Sequence, residues 1–551
     1  MPEIRQIPAL TAAFLSGVLS LSADDTERLA DLFEAASKGG VITIPPGDYR
    51  LSGDTAIALS SNTTIIAYGA RFHFPESLGS GARPVLFAGT DVKNLTWQGG
   101  EFLGRVFDPS QQENTWEPNV NSKGIEITTT VAGGTGDLFF REVRSNGVGG
   151  AVIGVHGLAG RSSESAVEAY AERVVLESCT LLRSGKFMWD YGYLWQILTW
   201  PEDFEPWEVE RARRYFRSDL LRQAVMKKGD ERIAIDPALK SLPISKTDDS
   251  KEALSFFGSS LPSPLKRGLQ YFVVESGEGY LKVSELPGGK PITFEEDSGE
   301  DSALAHHLSA TYLSAYAPTG SSPGKGAFDI VGARDVRVTG CMLSALGDTM
   351  HIQRSENVVF ANNHILGSRM GAFFLAEYCR NATITGNLVD GTNGSRVVSV
   401  EKSCTDVVMT GNTFRNGGRG AWINQPVNFV LANNIFVNNT TKNEADPRRG
   451  RIAYRTAGPG RFPELYFTLH EEGGTYGPVI VRDNVFQFGD AAPVEAVTFA
   501  PNGRDLQMSG NTFPGRATSI AVDPSCEGVA IRDNPGAELK RTSVDFNHGR
   551  R

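Results

Sequence analysis

Apolar and polar residues alternate along most of this chain in short stretches, the period of a half-buried strand and not of a helix. The stretches are grouped into units, and many units close on asparagine: Phe360-Ala361-Asn362-Asn363, Ile384-Thr385-Gly386-Asn387, Met409-Thr410-Gly411-Asn412 and Leu431-Ala432-Asn433-Asn434. Val481 to Asn484, Met508 to Asn511 and Ile531 to Asn534 follow the same form, while Val338-Thr339-Gly340-Cys341 and Leu176-Glu177-Ser178-Cys179 carry cysteine in the asparagine place. From Cys341 to Asn434 the steps are 22, 24, 25 and 22 residues. A repeat of that length built of short strands predicts a solenoid of parallel strands, each turn stacked about 4.8 Å from the next so that like residues form ladders. A leucine-rich repeat is excluded, because neither its leucine framework nor its helical half is present.

This pattern resembles the right-handed parallel β-helix of the pectate-lyase-like superfamily, in which an asparagine ladder occupies one bend of every turn. The resemblance spans roughly residues 40–540 and implies an all-β, single-stranded right-handed coil. The N-terminus is similar too. Asp24-Asp25-Thr26 can cap a helix that places Leu29, Leu32, Phe33 and Ala36 on one face, and Gly39-Gly40 ends it. Such a helix would cover the open edge strands at the end of the coil. The expected organisation is lead-in and capping helix over 1–40, coil over 41–185, an aromatic-rich insertion of mixed α/β character over 186–325, coil again over 326–540 with a loop insertion at 440–475, and a tail at 541–551.

Composition narrows the partners. Of 551 residues 60 are glycine, above the usual ~7% and in keeping with many turns. The formal charge of −10 argues against a general binder of nucleic acid or of an anionic membrane. No apolar run is long enough to span a bilayer. Ala9 to Ser22 has the length of a signal-peptide core, but its leader is net neutral and holds Pro8, so a cytoplasmic protein is favoured over a secreted one. The five cysteines are far apart and form no CxxC, so neither a disulfide framework nor a zinc site is expected.

Counting back from the asparagine place sets a register. Phe328/Ile330, Met350/Ile352, Phe374/Ala376, Val398/Val400 and Ala421/Ile423 share a parity and are expected to point inward. Their alternates then face out in two columns: Asp329, His351, Leu375, Ser399 and Trp422, and beside them Val331, Gln353, Glu377, Glu401 and Asn424. The Glu401 turn has one extra residue before its asparagine and is shifted by one. In the superfamily this face is the floor on which substrate lies. The insertion re-enters just before Asp329, so Trp189, Tyr191, Tyr193, Trp195 and Trp200 could wall it and offer flat faces to sugar rings, or equally form the insertion's own core.

Glycosidic cleavage needs two carboxyl groups. In this register Glu377 and Glu401 are neighbours, about 5 Å apart at the backbone, and like-charge repulsion would split their pKa values. Asp329 and His351 form a second neighbouring pair, and Asp329 to Glu377 spans roughly 10 Å, nearer to an inverting separation. Asp329, Glu377, Glu401 and His351 are therefore the catalytic candidates. Gln353, Asn424, Trp422, Lys402, Arg369, Asp348 and Trp189 are the candidates for holding substrate. No metal or cofactor is expected.

A second resemblance concerns alginate and chondroitin lyases of this fold. Glu401-Lys402-Ser403 and Asn412-Thr413-Phe414-Arg415 are similar to their Lys-Ser and Asn-Thr-Phe-Arg elements, which implies Lys402 as the base. The Arg-His-Gly acid of those enzymes is replaced here by Ala421-Trp422-Ile423-Asn424-Gln425, and their calcium-binding glutamates fall on Ser395 and Val397. Three functions remain in view: a glycoside hydrolase on a poly- or oligosaccharide; a lyase or epimerase on a uronate, with Arg369, Arg396 and Arg449 neutralising its carboxylate; and a non-catalytic glycan-binding or tailspike-like protein. The long lateral face permits a homo-oligomer.

Overall fold

The computed structural model describes residues 24–75, 84–104, 122–159, 166–185, 206, 222–237, 242–246, 252–267, 269–306, 325–345, 348–368, 371–391, 396–417, 419–439, 463–470, 473–488, 495–515 and 517–544. Among these, three long parallel sheets of 13, 11 and 13 strands run the length of the molecule. Each turn of chain contributes one strand to each sheet in succession. In the strand Glu356–Ala361, for example, Phe360 is flanked by Val338 of the previous turn and Ile384 of the next. The chain is thus a parallel β-helix.

Apolar residues fill the bore. Aromatic side chains from successive turns stack on one another: Phe436 on Phe486 at 4.9 Å, Phe486 on Phe513 at 4.8 Å and Phe467 on Phe499 at 4.9 Å between ring centroids. These distances equal the strand spacing, so the rings are ladders in the same sense as the backbone. At the N-terminal end Phe72, Phe87, Trp97 and Phe102 form a buried aromatic knot. The helix Thr26–Ala35 closes that end by burying Leu29 and Phe33, with Leu32 and Ala36 partly buried beside them. Its cap differs from the expected one. Asp25 sits at the N-cap but spends its carboxylate on the Arg50 N–H at 2.9 Å, fastening the helix to the first turn, and Asp24 accepts from the Thr26 N–H instead.

The asparagine ladder is continuous through Asn363, Asn387, Asn412, Asn434, Asn484, Asn511 and Asn534. Each side-chain oxygen accepts the backbone N–H of the preceding turn, and each amide nitrogen donates to the next asparagine and back to a carbonyl. Cys341 occupies an equivalent place: its backbone N–H donates to Asn363 Oδ1 at 2.9 Å. All five cysteines are buried and unpaired.

Between the strands Thr180–Ser184 and Lys325–Val331 lies a seven-stranded antiparallel sheet whose described strands run from Arg222–Gln223 to Ala303–His306. It has its own core of Met226, Ile233, Phe256, Tyr271, Val273, Leu281 and Leu304. The aromatic run from Trp189 to Trp200 and the helix-like stretch after it lie outside the described residues, as do Ala9 to Ser22 and Arg449. The coil closes across the insertion without a break, since Ile153 pairs with Phe328 and Val155 with Ile330.

Candidate functional site

The outward face of the third sheet carries the candidates, in a register that differs in part from the expected one. One column runs Glu126, Gly154, Asp329, His351, Phe374, Ser399, Trp422, Tyr466. The column two residues further on runs His156, Val331, Gln353, Ala376, Glu401. Leu375 is fully buried in the bore, and Phe374 takes the outward place assigned to it. Glu377 is not beside Glu401; Ala376 is.

The cause is the turn that follows the strand. Arg354 and Gln425 are each a single left-handed residue, with φ of 47° and 51°. The two intermediate turns each contain two, Glu377-Tyr378 and Lys402-Ser403, with φ between 54° and 65°. Both rungs therefore hold an extra residue, whereas the sequence count shifted only the second. A signal was available. Glu377-Tyr378-Cys379 and Lys402-Ser403-Cys404 have the same form, and each cysteine Sγ bonds back to the carbonyl three residues before it. Aligning these rungs on cysteine sets Ala376 opposite Glu401.

Consecutive left-handed residues with side chains are costly, of the order of 1–2 kcal/mol each. Backbone bonds between the turns offset this: Glu377 N–H donates to the Glu401 carbonyl and Tyr378 N–H to that of Lys402, both at 2.9 Å. The Glu377 carboxylate adds a staple across three turns, accepting from Lys402 Nζ at 2.9 Å and Arg354 Nε at 3.2 Å. Burial pushes its pKa up, but the hydrogen bond and charge of Lys402 together with Arg354 outweigh this, and Glu377 lies below the ordinary glutamate value. A carboxylate with a lowered folded pKa stabilises the fold above its unfolded pKa of ~4.3, and that contribution disappears as pH falls through the folded value. Glu377→Gln is expected to cost about 1–3 kcal/mol at pH 7, since it removes the charge that Lys402 and Arg354 both bond. The deficit should shrink below pH ~4. Equal melting midpoints for the two proteins at pH 7 would show that the staple carries no stability.

Toward the N-terminal turns, side chains form two imidazole–carboxylate couples. His351 Nε2 lies 2.9 Å from Asp348 Oδ2, and Asp348 Oδ1 accepts the Gly371 N–H at 3.0 Å. A carboxylate only accepts, so Nε2 carries the proton and Nδ1 keeps its lone pair, to which the Gln353 amide donates at 2.7 Å. Phe374 stacks on the imidazole at 4.7 Å and fixes its plane. The carboxylate that orients His351 is thus Asp348 and not its neighbour Asp329. Asp329 faces His156 instead, with Oδ2 3.3 Å from Nε2, and His156 Nδ1 lies 3.8 Å from Glu126. Gly154 separates Glu126 from Asp329 in the column, and the His156 ring lies against it, since a Cβ there would sit 3.6 Å from His156 Nε2.

Glu401 is half-buried, with Arg396 Nη1 3.6 Å from its carboxylate. Burial pushes its pKa above the ordinary value. Arg396, His351 and Lys402 oppose the rise, while the Asp348 charge adds to it. The Arg396 guanidinium covers the Trp422 ring at 4.2 Å, so the face expected to stack on sugar is taken by a cation. Trp422 packs outward against Tyr466, Ala500 and Ala521. Asn424 is buried with both ends of its amide committed to backbone, Oδ1 to Lys402 N–H and Nδ2 to the Leu469 carbonyl, so it braces the Lys402 turn. Trp189 and Arg369 lie outside the described residues. The structure therefore brings together Asp348, His351, Gln353, Glu401 and Arg396. It sets Asp329 with His156, and Glu377 with Lys402.

A family model describing a right handed beta helix region matches residues 319–456. No curated protein matches the chain. Similar chains among solved structures include the A-module of the mannuronan C-5 epimerase AlgE4 of Azotobacter vinelandii, 9% identical over 94% of this chain and 96% of that one, with a TM-score of 0.38. The endo-xylogalacturonan hydrolase of Aspergillus tubingensis is 10% identical over 96% and 94%, TM-score 0.34. The DFA-IIIase of Arthrobacter chlorophenolicus A6 is 11% identical over 93% and 94%, TM-score 0.40.

Proposed function

We propose that this right-handed parallel β-helix protein, built on the pectate-lyase-like architecture, is a carbohydrate-active enzyme that hydrolyses glycosidic bonds by acid/base catalysis. The observation that carries this is the pairing of a carboxyl group held above its ordinary pKa, Glu401, with a buried, carboxylate-oriented imidazole, Asp348–His351, on the same outward side of the third sheet. Glu401 is suited to donate a proton to the leaving oxygen, because burial keeps it protonated further toward neutrality. His351 Nδ1 is suited to accept one from water, because Asp348 fixes the proton on the other nitrogen. Gln353 now fills the place such a water would take. His351 and Glu401 stand on strands two apart in the sheet, about 10 Å at the backbone. That is closer to the separation of an inverting pair than of a retaining one, which needs the carboxyl groups at ~5 Å. In this proposal Asp329 and His156 bind substrate beside the pair, and Glu377 and Lys402 hold the turn.

A lyase or epimerase acting on a uronate is the second proposal, favoured by Arg396, whose charge lies beside Glu401 and could neutralise a sugar carboxylate. Lys402, the base in that scheme, is bonded to Glu377 and would have to exchange this partner for substrate. Purified protein incubated with xylan, homogalacturonan and alginate separates the proposals. Hydrolysis is expected to release reducing ends with no rise in ultraviolet absorbance. A matching rise in absorbance would replace the hydrolase with a lyase, a changed uronate C5 configuration by proton NMR without new ends would replace it with an epimerase, and binding with none of these would replace all of them with a glycan-binding protein.

A further inference from the structure

The asparagine ladder does not extend to the first turns, and what replaces it makes a surface of a different kind. The corresponding bends there read Tyr68-Gly69, Gly99-Gly100, Glu142-Val143 and Ser178-Cys179. Gly99 has φ of 70°, and a Cβ on it would sit 2.5 Å from Tyr68 Cδ1. The missing side chain lets the Tyr68 ring lie flat across the next turn. Its hydroxyl then donates to Glu142 Oε2 at 2.7 Å, one turn further on. The ring is pinned at both ends yet 45% exposed.

Beside it is a cavity of about 360 Å³ whose polar lining includes Arg71, Glu101, Glu142, Arg144 and Thr180. A second cavity of about 270 Å³ is lined by Thr96, Phe139, Arg141 and Glu177, with Phe139 40% exposed. The two are neighbours, lined in part by the consecutive residues Arg141-Glu142 and Glu177-Ser178, with an aromatic ring beside each, and together they are treated as one trough.

We propose that this trough is a second carbohydrate site, separate from the third-sheet face, that binds a neutral oligosaccharide across two sugar rings. The chemistry fits that class. A pyranose has an apolar face of C–H groups that stacks on a flat, pre-positioned aromatic, and a rim of hydroxyls that both donate and accept. Tyrosine supplies such a face at low entropic cost. Three arginines and three glutamates line the two cavities and supply both donors and acceptors, so their charges balance and the trough selects neither an anion nor a cation. The volume of the larger cavity suits one ring, in the range of small-ligand sites.

Saturation-transfer NMR with cellotetraose and xylotetraose, whose equatorial substituents leave both ring faces flat, tests this. Transfer to ring protons is expected in the wild-type protein. Tyr68→Ala should weaken the affinity by about tenfold, and Tyr68→Phe, which keeps the ring and loses the Glu142 bond, by only about two- to threefold. Gly99→Ala, which drives the ring off its seat, should behave like Tyr68→Ala. Absence of transfer from both sugars, or affinity unchanged in Tyr68→Ala, would overturn the proposal. Neither outcome depends on turnover at Glu401.

Discussion

Glu401→Gln is expected to lower kcat/KM by about 10²- to 10⁴-fold with the fold intact, the range lost when a positioned general acid is removed. Glutamine preserves the shape beside Arg396 but has no proton to give to a leaving oxygen. The pH profile sharpens the test. Burial lifts the Glu401 pKa, so the wild-type rate should fall on the alkaline side as Glu401 loses its proton. That limb should vanish in the variant, whose residual activity would depend on the imidazole alone. His351→Ala should also lower kcat/KM, because it removes the nitrogen proposed to take the proton from water. Turnover within threefold of wild type in Glu401→Gln, or an unchanged alkaline limb, would remove Glu401 from the chemistry.

The largest effect on stability is expected at the ladder. Asn412→Ala removes five hydrogen bonds at a site only 1% exposed: donations to Asn434 Oδ1, the Ile384 carbonyl and the Thr410 carbonyl, and acceptance from Asn387 through both its backbone N–H and its side-chain amide. The groups left behind have no route to water, and each stranded polar atom costs about 1–3 kcal/mol. Relaxation of the turns recovers part of this, so the net cost is about 3–5 kcal/mol. Asn412→Asp should be no milder despite its matching shape, since it replaces two donors by an acceptor aimed at a carbonyl and at another side-chain oxygen. By contrast Asn428→Ala, whose amide reaches Asp406 on the exposed outer surface, should cost only about 1 kcal/mol, mostly because alanine tolerates the left-handed backbone there less well than asparagine. Calorimetric midpoints of the three variants check the order. A tolerated Asn412→Asp would mean that packing alone holds the bend.

Much of the coil was legible from residues. The asparagine repeat works as a signal because a buried amide has few places where every hydrogen bond is met, so the same residue recurs at the same bend. The outward placement of Asp329, His351, Gln353 and Glu401 followed from strand parity for a similar reason. What failed was the count across Glu377-Tyr378. Nothing in side-chain hydrophobicity marks a second left-handed residue, because that choice is made by backbone bonds to the next turn. Partner choice was also hidden. Asp329 is the neighbour of His351 in the column, whereas Asp348 lies three residues before it on the same strand. The winner depends on side-chain reach along the strand, and on His156 arriving from the other side to engage Asp329. Asn424 and Trp422 were assigned from direction alone, and each proves to be occupied, one by backbone and the other by Arg396.

The uninterrupted pairing of Ile153 with Phe328 has a bearing on how such a molecule diversifies. More than 170 positions separate these two residues in the sequence, yet they are direct neighbours in the sheet. The inserted sheet keeps an apolar centre of its own. The junction can therefore accept a different module without moving any side chain of the third-sheet columns. A lineage could in that sense exchange the inserted sheet while leaving the columns untouched.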